Sequence, residues 1–194
     1  MRVLPDKRER LIRAGRDMIY RQGYAPTTLA QIAEAASVPL GNVYYYFKTK
    51  EAIAEAVIDA RLAELRAALE RAERKQLPEE RLAALLEIQL EGCDEVARRG
   101  CPYGSLAQEL EKRDGPLGSR AALLVEVQRE WMERQFLAMG LSQRARDLAL
   151  ELLCAAQGAA LVAHALGDAG VMHRRLRDLE AWIQGLAREA TLTD

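Results

Sequence analysis

The chain is poor in the residues from which most catalytic and metal centres are built. It has two histidines, His164 and His173, and three cysteines, Cys93, Cys101 and Cys154, in 194 residues. An odd cysteine count without a CxxC pair excludes a disulfide framework and a thiolate zinc site. Neither an HExxH pattern nor a glycine-rich phosphate loop is present. No Ser/His/Asp grouping stands out, so the expectation is a protein that is not an enzyme and uses neither metal nor cofactor. No apolar run approaches the ~20 residues of a membrane span. The charged start MRVLPDKRERLIRAG lacks the apolar stretch of a secretory signal. These absences lead to the expectation of a cytoplasmic protein with reduced thiols and no membrane partner. Runs of β-branched residues, alternating patterns, internal repeats and low-complexity tracts are also missing.

What is present is a globular, helix-forming chain. Hydrophobic residues make up 49% and charged residues 29%, which argues against disorder. Leu, Ala, Arg and Glu dominate, all good helix formers. The formal net charge of −1 conceals an asymmetry. Residues 1–50 hold nine basic and four acidic side chains, so this head is basic and the remainder acidic. A basic head on an acidic body suits contact with a polyanion, although basic patches are also ordinary solvated surface.

The patterning predicts an all-α chain of about nine helices. They fall near 6–22, 28–36, 40–47, 49–75, 78–99, 103–113, 116–139, 142–167 and 173–190. Gly23 sits where the first helix needs a C-terminal cap, and Thr28-Leu29-Ala30-Gln31 reads as a capping box. In the last two helices Leu148, Leu152, Ala155, Ala159, Val162 and Leu166, and then Leu176, Leu179, Ile183, Leu186 and Ala190, recur in steps of three and four. Such seams pack against near-parallel helices. Either they close an internal hairpin, or they form half of a four-helix bundle with a second copy of the chain. The dimer reading assigns Leu152, Ala155, Ala159, Val162, Leu166, Leu179, Trp182, Ile183 and Leu186 to the interface.

Residues 28–47, TLAQIAEAASVPLGNVYYYF, read as two short helices joined by a tight turn, a helix-turn-helix. Ile32, Ala33, Ala36, Val38 and Val43 supply its interior. Four of the ten aromatic residues of the chain fall at 44–47, and three adjacent tyrosines cannot all be core filler, since each buried hydroxyl needs a partner. A second helix of this kind enters the major groove with its N-terminal residues against base edges. Leu40 and Gly41 allow close approach and apolar contact with a thymine methyl. Asn42 suits a base or a phosphate, while the tyrosine hydroxyls and Lys50 suit phosphate oxygens. Thr28 stands at a helix N-terminus, where backbone amides hold anions.

Residues 11–57 resemble the N-terminal domain of the TetR family of bacterial transcriptional regulators. The likeness rests on Gly23-Tyr24, Thr27-Thr28 before Ile32-Ala33, Gly41-Asn42-Val43-Tyr44-Tyr45-Tyr46-Phe47, and Lys48-Thr49-Lys50-Glu51. The resemblance implies a three-helix DNA-binding domain over 1–50 and a helical ligand-binding and dimerisation domain over 51–194, connected by the helix near 49–75. It implies a homodimeric repressor that binds a palindromic double-stranded DNA operator and is released by a small-molecule effector. By matched position it assigns DNA contacts to Thr28, Gln31, Leu40, Gly41, Asn42, Tyr44, Tyr45, Tyr46 and Lys50. The rival classes, an all-helical enzyme or an adaptor, leave the basic head and the tyrosines unexplained.

Residues 100–110, GCPYGSLAQEL, are similar to a Gly-Cys-x-x-Gly-x-Leu-Ala-x-Glu-Leu stretch in a subset of that family, some members of which sense drugs, flavonoids or electrophiles. Pro102 suits the first position of a helix, which would place Cys101 at a helix N-terminus close to Arg98 and Arg99. Both features favour the thiolate and an electrophile- or redox-sensing repressor acting through Cys101. The alternative is a buried thiol that serves packing alone, as expected also for Cys93 and Cys154. An effector pocket between the middle helices would draw on Cys101, Tyr103, Trp131, Met132, Gln135, Phe136 and His164, apolar walls with a few polar groups.

Overall fold

The computed structural model describes residues 6–113 and 115–193; Arg2 of the basic head lies outside them. Among the described residues there are ten helices and no strand. They are α1 (Lys7–Gln22), α2 (Leu29–Ala35), α3 (Leu40–Tyr46), α4 (Lys50–Ala72), α5 (Pro78–Leu90), α6 (Cys93–Arg99), α7 (Gly104–Glu111), α8 (Pro116–Ala138), α9 (Ala145–Leu166) and α10 (Ala169–Thr193). The all-α expectation holds. The helix expected over 78–99 is divided, because Gly92 at φ −98°, ψ 0° starts a new helix whose first turn carries Asp94 and Glu95. Acidic side chains there complement the partial positive charge of a helix N-terminus.

Two compact units emerge. One consists of the chain up to Ala63 together with Ser105–Leu124, the other of Glu64–Gly104 and the chain from Val125. In the first, Leu11, Ile32, Ala33, Ala36, Val38, Val43, Phe47, Ile53 and Ala56 form one buried cluster. Each of its short helices has a sequence-encoded start. The Asp6 carboxylate accepts the Glu9 N–H at 2.7 Å and opens α1. Thr28 and Gln31 form the expected capping box of α2. The turn after α2 has the hydrogen bonds of a Schellman motif, Val38 N–H to Ala33 O at 2.9 Å and Ser37 N–H to Glu34 O at 3.0 Å. Ser37 takes the left-handed position of that motif at φ 51°, which a glycine would fill at ~1 kcal/mol less strain.

In the second unit α9 packs against α10 and α6, and α10 against α5. Leu148, Leu152, Ala159, Leu176, Leu179, Ile183 and Leu186 meet in its core. Five residues expected at a dimer interface are therefore consumed inside the protomer: Leu152, Ala159, Leu179, Ile183 and Leu186 are at most 6% exposed. The hairpin reading of the seam is correct for them. The inner face of α9 is broad, since Ala149, Leu153, Ala156, Ala160 and Ala163 are buried with the seam, and the heptad positions lie at its flank. Ala155 and Trp182 are half-buried, and Trp182 meets Phe136 edge-on with 5.9 Å between centroids.

Across the helix from this face α9 carries a second apolar stripe. Leu150, Leu161, Val162 and Leu166 are 39–68% exposed, and Cys154, Gly158 and Ala165 between them are exposed as well. Cys154 is thus surface rather than core. By length and composition α9 could cross a membrane, but 44% of that stretch is buried inside the protein. Apolar residues all round a helix whose one side is already packed indicate a second packed side.

Candidate nucleic-acid interface

The two short helices α2 and α3 present their polar and aromatic side chains outward because their apolar positions are spent on the cluster beneath. Val43 and Phe47 are buried at 0% and 3% exposure. With these two inside, Leu40, Gly41, Tyr44 and Tyr45 are left exposed, Tyr45 most of all at 78%. Asn42 and Tyr46 are half-exposed. Tyr46 stands edge-on to Tyr45 with centroids 5.0 Å apart, which orders the pair. All nine residues expected at DNA reach the surface at least in part.

Three of them are also engaged internally. The Thr28 hydroxyl accepts the Gln31 N–H at 3.2 Å, and the Thr28 N–H donates to Gln31 Oε1 at 2.9 Å. That amide is therefore committed to the cap. Both side chains remain exposed on the rim of α2. Lys50 differs more from expectation. Its ammonium donates to the Ala25 carbonyl at 2.8 Å and lies 4.2 Å from the centroid of the Tyr24 ring. Burial and the neighbouring Arg113 charge lower its pKa. Lys50 holds the turn between α1 and α2, while Lys48, two residues earlier, is exposed.

That turn is tied down by several side-chain hydrogen bonds, and spacing gave little sign of it. Tyr24 is 2% exposed. Its hydroxyl donates to Glu51 at 3.3 Å, and burial and the Glu51 charge raise its pKa. The Tyr24 and Ala25 N–H groups donate to the two carboxylate oxygens of Glu109, at 2.8 and 2.9 Å. Charge-assisted bonds of this kind contribute ~1.5–3 kcal/mol each. Arg113 lies 5.2 Å over the Tyr24 ring. Thr27, fully buried, donates to the Gly23 carbonyl at 2.7 Å. The Glu of the GCPYGSLAQEL stretch thus anchors the first loop of the helix-turn-helix unit.

The second unit contains a cavity of about 190 Å³. Cys101, Pro102 and Tyr103 line it with Leu65, Ala68, Leu85, Ile88, Gly92, Val96, Ala156, Ala160, Met172 and the carboxamides of Gln89, Gln128 and Gln157. No charged side chain among the described residues lines it. Cys101 and Tyr103 were expected there; the other five pocket candidates lie elsewhere. Trp131, Met132, Gln135 and Phe136 are buried one or two turns beyond Gln128 on α8. Trp131 donates to Glu73 at 2.9 Å and Gln135 to the Trp131 carbonyl at 3.4 Å. His164 is exposed, with Nδ1 3.1 Å from the Ala97 carbonyl. The Cys101 sulfur accepts the Gly104 N–H at 3.4 Å at the start of α7. Gly104 leaves room for Gln157, whose Oε1 would clash with a Cβ there. The three glutamines were missed because an isolated Gln carries no spacing signal.

Residues 11–57 match the sequence profile described as bacterial regulatory proteins, tetR family. The chain is 34% identical over 127 residues to the transcriptional regulator AcuR of Cereibacter sphaeroides, covering 64% of this chain and 57% of that one. It is 33% identical over 58 residues to the transcriptional repressor NemR of Escherichia coli, covering 30% of this chain and 29% of that one. The match thus spans little more than half of the first relative and under a third of the second. Among solved structures, the regulatory protein TetR from Rhodobacter sphaeroides superimposes with a TM-score of 0.78 at 25% identity, covering 89% of this chain and 96% of that one. The helix-turn-helix segment of the chain thus matches the profile of the tetR family of bacterial regulatory proteins, and the chain as a whole has the all-helical fold of a solved TetR regulator.

Proposed function

We propose that the protein is a ligand-responsive transcriptional repressor that binds a palindromic operator as a homodimer. The observation that carries this reading is the exposed α3 surface, Leu40, Gly41, Asn42, Tyr44 and Tyr45, on a buried apolar base within the segment that matches the family. The DNA-binding function resides in residues 1–50, and effector binding and dimerisation in residues 51–194. Leu40, Gly41 and Asn42 face base edges, and Thr28, Gln31, Tyr44, Tyr45 and Tyr46 reach base edges or phosphates. Lys50 acts mainly by holding the turn. That named relatives are regulators of transcription supports a function in binding rather than catalysis and a cytoplasmic location. The dimer forms through the outer stripe of α9, so Val162 and Leu166 stay in the interface while Leu150, Cys154, Gly158, Leu161 and Ala165 join it.

The effector occupies the cavity of the second unit. Its lining of aliphatic side chains, three carboxamides, a phenol and a thiol suits a small uncharged molecule with polar groups. A dry cavity of ~150 Å³ holds benzene, so one substituted ring is the appropriate size. An effector favouring the non-binding conformation releases the operator by as much as its affinities for the two conformations differ.

The test is selection of operator DNA from random and genomic pools by the purified protein at stated salt. A palindrome with half-sites about one helical turn apart, ~34–36 Å or a multiple, is the expected product. Its affinity should fall steeply with salt as phosphate contacts release counterions. No enriched site and a flat salt response would remove the DNA-binding reading. Tyr45→Ala should weaken the selected operator by ~1–3 kcal/mol without altering the melting of the dimer. Unchanged affinity would take Tyr45 off the contact surface.

One observation favours a second effector chemistry: the Cys101 thiol stands on the cavity wall. An electrophile entering the cavity would meet it. Cys101→Ser retains a hydrogen-bond acceptor for Gly104 and should abolish release by alkylating agents while basal operator binding is kept. Release that survives the substitution would leave the thiol a structural role.

A further inference from the structure

The cation expected to meet the DNA backbone beside the reading helix is engaged elsewhere. Lys50 donates to the Ala25 carbonyl at 2.8 Å and lies over the Tyr24 ring. Two other cations stand at the C-terminal end of α3. Lys48 directly follows Phe47, the C-cap of α3, and is exposed. The backbone that carries it is held on both sides. The Phe47 N–H donates to the Val43 carbonyl at 2.8 Å, and the Thr49 hydroxyl accepts the Ala52 N–H at 3.1 Å.

The second cation comes from α1. Leu11, Gly15 and Ile19 are the buried positions of that helix, and Arg8 lies one turn before Leu11 on the same face. An apolar residue would continue the stripe. The arginine instead sets its guanidinium 5.5 Å from the centroid of the Phe47 ring, while the residue as a whole stays exposed. Asp6 and Glu9, its acidic neighbours in sequence, serve the start of α1, where the Asp6 carboxylate accepts the Glu9 N–H at 2.7 Å. Among the described residues neither Arg8 nor Lys48 has a hydrogen bond or an ion pair. Both cations are thus fixed to one end of α3 and left uncompensated.

We propose that Arg8 and Lys48 form a phosphate clamp at the C-terminal end of α3 and take the part in holding the DNA backbone that Lys50 does not. The inference rests on the DNA-binding reading. α3 has seven residues, which make a helix ~10 Å long at 1.5 Å per residue. The major groove is ~8.5 Å deep. A helix of this length that enters with Leu40, Gly41 and Asn42 against base edges brings its C-terminal end to the rim of the groove, where the phosphates lie. The guanidinium suits two oxygens of one phosphate, and the ammonium acts as a point charge. Neither group reads a base; together they set the depth and angle of α3. Phe47 belongs to the buried cluster beneath α3, so clamp and reading surface share one support.

The test measures binding of full-length Arg8→Gln, Lys48→Gln and the double variant to the selected operator and to an unrelated duplex over a series of salt concentrations. Each substitution removes one phosphate contact per head, hence two in a dimer. The slope of log affinity against log salt should fall by ~1.8 for each single variant and by about twice that for the pair. Affinity for both duplexes should fall by a similar factor, about tenfold or more near 0.1 M salt, because phosphate contacts carry no sequence information. Arg8→Lys keeps the charge and should retain most of the slope. Arg13→Gln makes the same change in net charge on the exposed face of α1 opposite its buried stripe, and should alter the slope far less. Lys48→Gln, on an exposed connection, carries the test alone should Arg8→Gln fail to fold. Unchanged slopes with the operator still bound would overturn the clamp, leave the DNA-binding reading intact and reduce Arg8 to a cover for Phe47. A loss confined to the operator would overturn it by showing base contact, and an equal loss in Arg13→Gln would overturn it in favour of net charge. If the unsubstituted protein selects no operator and its DNA binding does not respond to salt, the DNA-binding reading falls and the clamp with it.

Discussion

Leu161→Arg is expected to leave the protomer folded, convert the dimer to monomer and lower operator affinity by two orders of magnitude or more. Leu161 is 66% exposed in the protomer, so its replacement removes little from the core. In the proposed dimer it stands in the middle of a stripe with Leu150, Val162 and Leu166. Burial of such side chains contributes ~1.5–3 kcal/mol each. An arginine placed there without a partner carries a desolvation cost of several kcal/mol. The monomer loses the second reading head, and linkage of two heads supplies a factor of ~10²–10⁴ in avidity. Sedimentation equilibrium with operator titration reads both effects. Gly158→Ala sharpens the assignment, since beyond its own helix backbone nothing among the described residues lies within 4 Å of the Cβ it would carry. In an isolated helix the change stabilises by ~0.5–1 kcal/mol. A weakened dimer would place a partner helix close against Gly158. A dimer that persists in Leu161→Arg would put the interface on another face.

The sequence made the head legible because its signals are local. Capping of α2 by Thr28 and Gln31, the break before Pro39 and the alternation of Val43 and Phe47 with exposed tyrosines each arise within a few residues. Such patterns survive without tertiary information. The body was legible as helices but not as a site. A heptad seam at Leu152, Ala159, Leu179, Ile183 and Leu186 states that two helices pack, not whether they belong to one chain. Only burial separates the inner stripe of α9 from its outer one. The cavity failed to show for a similar reason. Bulk and aromaticity drew attention to Trp131 and Phe136, yet large side chains fill space, and a cavity remains where small ones such as Ala68, Ala156 and Ala160 line it. Glu109 could not be assigned at all from spacing, since its partners are 84 and 85 residues away. Lys50 illustrates the opposite error. A cation beside a reading helix suggests phosphate, while the fold turns it onto the Ala25 carbonyl and the Tyr24 ring.

Gly23→Ala carries the largest expected loss of stability in the head, about 3 kcal/mol. Gly23 has φ 87° and ψ 165°, a region that glycine alone enters freely. Forcing a Cβ there costs ~1–3 kcal/mol in backbone strain. The added methyl would also lie 3.2 Å from both Glu109 carboxylate oxygens, so the carboxylate must give by a few tenths of an ångström, which strains its bonds to the Tyr24 and Ala25 amides. Loss of even one of these charge-assisted bonds adds ~1.5–3 kcal/mol. Because the chain forms two units, one melting temperature does not isolate the effect. Hydrogen exchange of the slowest amides of α1 and of the part of α4 up to Ala63 does. A double-mutant cycle with Glu109→Leu then separates the two causes. If the methyl acts partly by displacing the carboxylate, the double variant is less destabilised than the two single losses combined. If the losses add in full, the backbone alone accounts for Gly23. In that case the carboxylate accommodates the methyl without leaving its amides, and the loop around Tyr24 tolerates more movement than its contacts suggest.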